Sequence, residues 1–295
     1  KPALPAGRQP PKPLRAGTAN QVQTLADVML QRIAENQQGL NPGTYVGEAN
    51  ESVVIGVEFP DFSRRWLFHN SGYAVGRMGV IIGETGSFKT AMQADLMGLH
   101  LSVHGSLVKY NETESRDSAT FRKSIVGDDK FPLVVREKCE TIEEWQKATT
   151  DPLLWLRKLH ERGDGPAQIM VLCVDSLTGV ASKHTADAIE ENGHASMTHA
   201  IDANLINQYL KWVPGKVDDW PISFIVTNHV KFSMEKRGPI MARVMRIPGG
   251  DAIRYHSTYI MLMKGGSKPL TRQDVDGGYP IRVEMFKNSL GERSK

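Results

Sequence analysis

The sequence predicts an α/β fold, a mainly parallel twisted sheet with helices on both faces. Three observations predict it. From about residue 60, strand-like apolar runs alternate with helical stretches. A strand at 78–83 leads through a Gly-bearing loop into a helix. A continuous apolar run, Ile169–Val174, ends on an acid, Asp175, as a buried parallel strand does at its ligand-binding end. The chain has 295 residues with 40% hydrophobic and 23% charged residues, which argues against bulk disorder. Its apolar runs reach about six residues, where a membrane span needs roughly 20. A net charge of +3 makes nucleic-acid binding a matter of local patches. Two cysteines, Cys139 and Cys173, cannot build a disulfide framework or a four-ligand zinc site, and imply a reducing, cytoplasmic setting.

The elements follow in order. Residues 1–17 read as a flexible basic tail: the first fifteen residues hold five prolines and four cations without an acid, and no apolar core of a signal peptide follows them. Val22, Leu25, Val28, Met29 and Ile33 recur at helical spacing, which predicts a helix over 18–36. A Gly- and Pro-bearing linker (37–50) and a strand (52–59) complete a small N-terminal helix/strand segment, 18–59, that must dock on something to be stable. The core then spans 60–295. Strands are expected at 78–83, 106–111, 132–137, 168–175, 221–228, 257–263 and 281–286, and helices at 89–103, 142–161 and 196–212. The last two strands are joined by a polar, Gly-rich connection and predict an antiparallel edge pair.

Residues 83–90 read Gly83, Glu84, Thr85, Gly86, Ser87, Phe88, Lys89, Thr90. They match the phosphate-binding pattern G-x-x-x-x-G-K-[ST] except at Phe88, which replaces the second glycine. Such a loop curls backbone N–H groups around phosphate oxygens at a helix N-terminus. Lys89 would neutralise the β and γ phosphates of ATP, and the Thr90 hydroxyl would ligate Mg²⁺. Asp175 is the expected Mg²⁺-associated carboxylate. Hydrolysis also needs a group to orient water. Glu112 and Glu114 follow a strand expected to lie next to the loop's own strand; Glu114 is the choice and Glu112 the alternative.

Two segments have the composition of ligand loops. The first, 182–199, carries His184, His194 and His199, too dispersed for a metal site. The second, 231–247, carries Lys231, Lys236, Arg237, Arg243 and Arg246 against one acid, Glu235. Interleaved Phe232, Met234, Ile240, Met241, Val244 and Met245 add apolar wedges. Cations tracking phosphates and apolar groups between bases are what single-strand binding requires.

From about residue 65 onward the order of motifs resembles the RecA/Rad51 recombinase family, and most closely its T-even phage members. Arg77-Met78-Gly79-Val80 resembles the lead-in to that family's phosphate loop, and Ser87-Phe88-Lys89 its phage variant with a bulky residue. Glu112-Thr113-Glu114 resembles the family's Asp-x-Glu, whose last acid is catalytic; Val174-Asp175-Ser176 resembles its metal-site strand. Thr227-Asn228-His229 is similar to its Asn-Gln strand end, with His229 in place of the γ-phosphate-sensing Gln. Pro248-Gly249-Gly250, then Ala252 and Ile253, resembles the exit from the second DNA loop. Phe286-Lys287-Asn288 resembles the Lys-Asn near the core's end; Ser289 stands where the family has a second lysine. The resemblance implies a RecA-like ATPase core and a DNA-dependent ATPase that forms helical filaments of itself on single-stranded DNA and pairs it with homologous double-stranded DNA. It assigns catalytic roles to Glu114, Lys89, His229 and, from a neighbouring subunit, Lys287; apart from the resemblance, Arg293 in the stretch GERSK is a weaker second choice for that trans cation. It places DNA contacts at Lys231, Lys236, Arg237, Arg243, Arg246, Gly249 and Gly250. Single-strand-binding and mediator proteins are further candidate partners. The rival expectations are a hexameric replicative helicase and a non-catalytic ATP-binding regulator.

Overall fold

The computed structural model describes residues 55–68, 72–103, 106–114, 118–161, 169–193, 199–218, 220–237, 240–265 and 281–290. The expected tail, the helix over 18–36, Ser52–Val54 and Arg293 lie outside the described residues.

The chain is α/β, built on a seven-stranded, mostly parallel sheet. Its strands are β3 (Met78–Gly83), β4 (Leu107–Glu112), β5 (Val134–Lys138), β6 (Met170–Asp175), β7 (Ile222–His229), β10 (Tyr259–Gly265) and β11 (Ile281–Asn288), in the order β11-β10-β3-β7-β6-β4-β5. Only β11 runs antiparallel, against β10 at one edge. The edge pair is as expected. Two short antiparallel pairs stand apart from this sheet: β1 (Ile55–Glu58) with β2 (Gly72–Ala74), and β8 (Lys231–Arg237) with β9 (Ile240–Arg246).

The helices are α1 (Phe62–Phe68), α2 (Lys89–His100), α3 (Ala119–Val126), α4 (Ile142–Glu161), α5 (Lys183–Asn192), α6 (His199–Trp212), α7 (Pro214–Val217) and α8 (Ala252–His256). Strand alternation explains why both sheet faces are covered. Val80, Ile82, Leu172, Val174, Phe224 and Val226 join one core with Trp145 and Leu153 of α4 and Ile206 and Leu210 of α6. Ile81, Val171, Cys173 and Ile225 join the opposite core with Ala94, Leu96 and Met97 of α2 and Val126 of α3. Successive side chains of a strand point to opposite faces, so near-continuous apolar strands need helices on both sides. In α4 the buried Ile142, Trp145, Ala148, Thr149, Leu153 and Leu156 form one stripe at helical spacing. No helix among the described residues is long and apolar enough to cross a membrane.

Register sets the site. Gly83 pairs with His229 across β3 and β7, and Glu112 pairs with Asp175 across β4 and β6. The carboxyl ends of four parallel strands therefore meet along one edge, where open α/β sheets bind ligands.

Candidate active site at the carboxyl edge of the sheet

The loop at 83–90 joins β3 to α2. Gly83 is required there: a Cβ would lie 2.3 Å from the Ser87 hydroxyl and 2.6 Å from the Met263 carbonyl. Ser87 Oγ donates to the Glu84 carbonyl at 2.7 Å. Phe88 sits at φ 62°, ψ 30°, and is the only non-glycine with positive φ among the described residues. The position conventionally held by glycine thus keeps its left-handed backbone while bearing a phenyl ring. The first-turn N–H groups of α2 point out of the helix without intrahelical partners. Lys89 is buried, and its ammonium donates to the carbonyls of Gly83 (3.2 Å) and Glu84 (2.9 Å). Burial lowers its pKa, against the opposing pull of Glu114 and Asp175.

Asp175 ends β6 and gathers hydroxyls. Its Oδ2 accepts from Thr90 Oγ1 at 2.7 Å and from Tyr110 at 3.3 Å, and its Oδ1 accepts from Thr227. The sequence pattern did not single out Tyr110, and it named Thr227 only within Thr227-Asn228-His229 with no role at Asp175; both are strand residues whose role depends on which strands neighbour β6. Thr90 and Asp175 offer hard oxygen donors beside the loop, which suits Mg²⁺, a cation held by few protein oxygens plus phosphates and water. Among the described residues there is no group of three or more His, Cys, Asp or Glu that could hold a metal.

The two glutamates separate. Glu112 is 1% exposed and accepts from Arg136, with Nε at 2.6 Å. Glu114 instead accepts at Oε1 from Ser176 Oγ (2.6 Å) and His229 Nε2 (2.7 Å). The hydrogen bond from His229 is the main cause that holds the Glu114 carboxyl down to about 2, aided by Ser176 and Lys89 and opposed by burial. One expectation is corrected: β4 does not neighbour β3, because β7 and β6 lie between them. Glu114 reaches the site from beyond the strand end, where Thr113 and Glu114 N–H groups donate to the Asp175 carbonyl at 2.8 and 3.3 Å.

The loop expected at 231–247 is a two-stranded ribbon. Its pairs Phe232↔Met245, Met234↔Arg243 and Lys236↔Met241 put these side chains on one face by strict alternation. Part of the signal was present: Phe232 and Met234 alternate with polar residues before Gly238-Pro239, a turn dipeptide, whereas the run 240–246 does not alternate. Lys231 and Lys236 are exposed. Arg243 donates to Glu84 of the 83–90 loop at 3.1 Å, and Arg246 donates to Glu235 through Nε at 3.1 Å. The side chain of Arg237 lies outside the described residues. The ribbon leaves through Gly249 (φ 94°) and Gly250 (φ 87°). Asn228 Nδ2 donates to the Pro248 carbonyl at 2.7 Å and its Oδ1 accepts from Thr178 at 2.9 Å, tying the end of β7 to that exit. A Cβ on Gly250 would lie 2.9 Å from Asn207 Oδ1, an oxygen that already accepts the Ala252 N–H at 2.9 Å.

The other expected loop, 182–199, contains α5. Ser182 caps it by accepting the Thr185 N–H, and Gly193 ends it in left-handed conformation, a cap and stop at helical distance. His194 lies outside the described residues. Lys287 lies within β11 and not after it, because that strand continues to Asn288. It pairs with Ile260, which pairs with Val80, three residues and so about 10 Å back along the strand from Gly83. Its ammonium donates to the carbonyls of Arg254 (2.8 Å) and Tyr255 (3.1 Å) at the end of α8. The structure therefore brings together Lys89, Thr90, Glu114, Asp175 and His229, and keeps Lys287 away from them. No protein-family model matches the chain, and no curated protein sequence matches it.

Proposed function

We propose that the chain is an ATP-dependent homologous-recombination protein with a RecA-like core, which polymerises on single-stranded DNA and pairs it with a homologous duplex in a host-cell cytoplasm. The observation that carries this reading is the Glu114–His229 contact. His229 is bonded to the expected water-orienting carboxylate and stands two residues before the basic ribbon begins at Lys231. Events at the phosphates and events at the ribbon thus share one strand end.

In this reading ATP·Mg²⁺ supplies the scissile phosphoanhydride and the cation that neutralises developing charge. Lys89 leaves the loop carbonyls for the phosphates, since a buried ammonium gains most from an anionic partner. Thr90 and Asp175 would hold the cation through their side-chain oxygens. Both donors to Glu114 use Oε1, leaving Oε2 to orient water. Asn228 carries displacement of β7 to the ribbon's exit through Pro248.

Electron microscopy with single-stranded DNA and a slowly hydrolysed ATP analogue tests the proposal. Helical filaments support it. Closed rings favour a helicase, and no assembly favours a nucleotide-binding regulator.

A further inference from the structure

The ribbon leans on the phosphate-type loop, and the contact is ionic. Arg243 Nη2 lies 3.1 Å from Glu84 Oε1, with the two side chains 62% and 61% exposed. The Arg243 guanidinium also lies 3.8 Å from the centroid of the Phe232 ring, over its face. Phe232, Arg243 and Met245 of the ribbon face Glu84, Thr85 and Gly86 across a cavity of about 480 Å³. Glu84 is held from both ends, since its carbonyl accepts from Lys89 at 2.9 Å.

An arginine stacked on an aromatic ring with a carboxylate at its edge has the surroundings that a single strand offers: a planar π-face and an anionic oxygen. We propose that Glu84 is an internal stand-in for a nucleic-acid phosphate, which occupies Arg243 and holds down the strand affinity of the nucleotide-free protein. The inference rests on the reading of the ribbon as a single-strand-binding element. Glu84 and a DNA phosphate compete for the same guanidinium. Exposed pairs of this kind are weak and screened by salt, so the restraint is modest and strongest at low ionic strength.

A double-mutant cycle tests it. The affinity of the nucleotide-free full chain for a labelled oligo-dT strand is measured by anisotropy at low salt for wild type, Glu84→Gln, Arg243→Ala and the double variant. Glu84→Gln is expected to tighten binding about two- to fivefold, the scale of an exposed ion pair. Arg243→Ala weakens it, and the double variant binds like Arg243→Ala. The gain from Glu84→Gln shrinks as salt rises. If Glu84→Gln gains as much in the Arg243→Ala background, the effect is only one fewer negative charge and the competition is overturned. Unchanged binding by Glu84→Gln, or full-strength binding by Arg243→Ala, overturns it as well. Rings or no assembly in micrographs would remove the recombination reading and leave this cycle interpretable, because the cycle needs only strand binding.

Discussion

Glu114 and His229 stand 115 positions apart in the chain, and their Oε1 and Nε2 atoms are 2.7 Å apart. Glu112, two residues from Glu114, is turned to Arg136 instead. Neighbouring acids thus have different partners and different expected roles.

Exchanging these acids for amides should separate the roles. Glu114→Gln is expected to bind ATP and assemble while phosphate release falls about 10²–10⁴-fold, the usual worth of a positioned acid or base. Glu112→Gln should cost stability, because it weakens a charge-assisted bond to a buried group, while hydrolysis persists in the folded fraction. Lys89→Ala should lose nucleotide binding itself. Nucleotide affinity, phosphate release and thermal melting distinguish the three. Normal hydrolysis by Glu114→Gln with loss in folded Glu112→Gln would reverse the assignment.

Phe88 is the left-handed residue at the start of α2. That conformation costs an L-residue roughly 1–2 kcal/mol, and a β-branched side chain suffers most. Phe88→Gly is expected to retain nucleotide binding, and Phe88→Val to melt below Phe88→Gly, by about 2–4 °C per kcal/mol for a chain of this size. Calorimetry and nucleotide titration check this. A valine variant as stable as the glycine variant would mean that the loop does not demand positive φ.

Lys287 lies on β11 about 10 Å back from its own loop, with its ammonium on the carbonyls of α8. If it completes an ATP site, that site belongs to a neighbouring subunit. Mixing Lys89→Ala with Lys287→Ala subunits should then restore part of the DNA-stimulated hydrolysis, since the second receives a lysine from the first. Mixtures that co-assemble and stay inactive would exclude the trans role.

His100 is fully buried, with Nδ1 2.7 Å from the Leu96 carbonyl and Nε2 3.2 Å from Ser223 Oγ. Burial pushes its pKa down from 6.5 to about 4. Below pH 6.5 the unfolded chain takes the proton first, so stability present above 6.5 is lost as pH falls towards 4. The loss is on the order of 3 kcal/mol at 1.36 kcal/mol per unit. Melting temperatures between pH 7 and 4 should fall in wild type and fall less steeply in His100→Gln, whatever the variant's starting stability. Parallel slopes would assign acid sensitivity to other groups.

Local pattern was enough for several elements. MGVIIG at 78–83 and the helix over 142–161 appear with the boundaries read from periodicity. Spacing alone also pointed to the strand–loop–helix around Lys89 and to the acid that ends β6. These are short-range properties: apolar period, caps and turn residues lie within one turn or one strand of what they determine. The short α1 and β2 give too few residues for a period to register, and in the ribbon at 231–246 the charge pattern dominates because only its first strand alternates.

Tertiary structure decided the strand order, and with it the site. Placing β7 and β6 between β3 and β4 puts Thr227 and Tyr110 on Asp175, aligns Gly83 with His229, and leaves Glu114 to reach in from beyond its strand. Arg136 claims Glu112 because β5 pairs beside β4; Glu84 meets Arg243 because the ribbon folds back over the loop. None of these partners is within a helical turn of the other in sequence. Local periodicity determines which face of an element is apolar. Which element covers that face, and which side chains then meet at its ends, depends on long-range pairing set by the packing of the whole sheet.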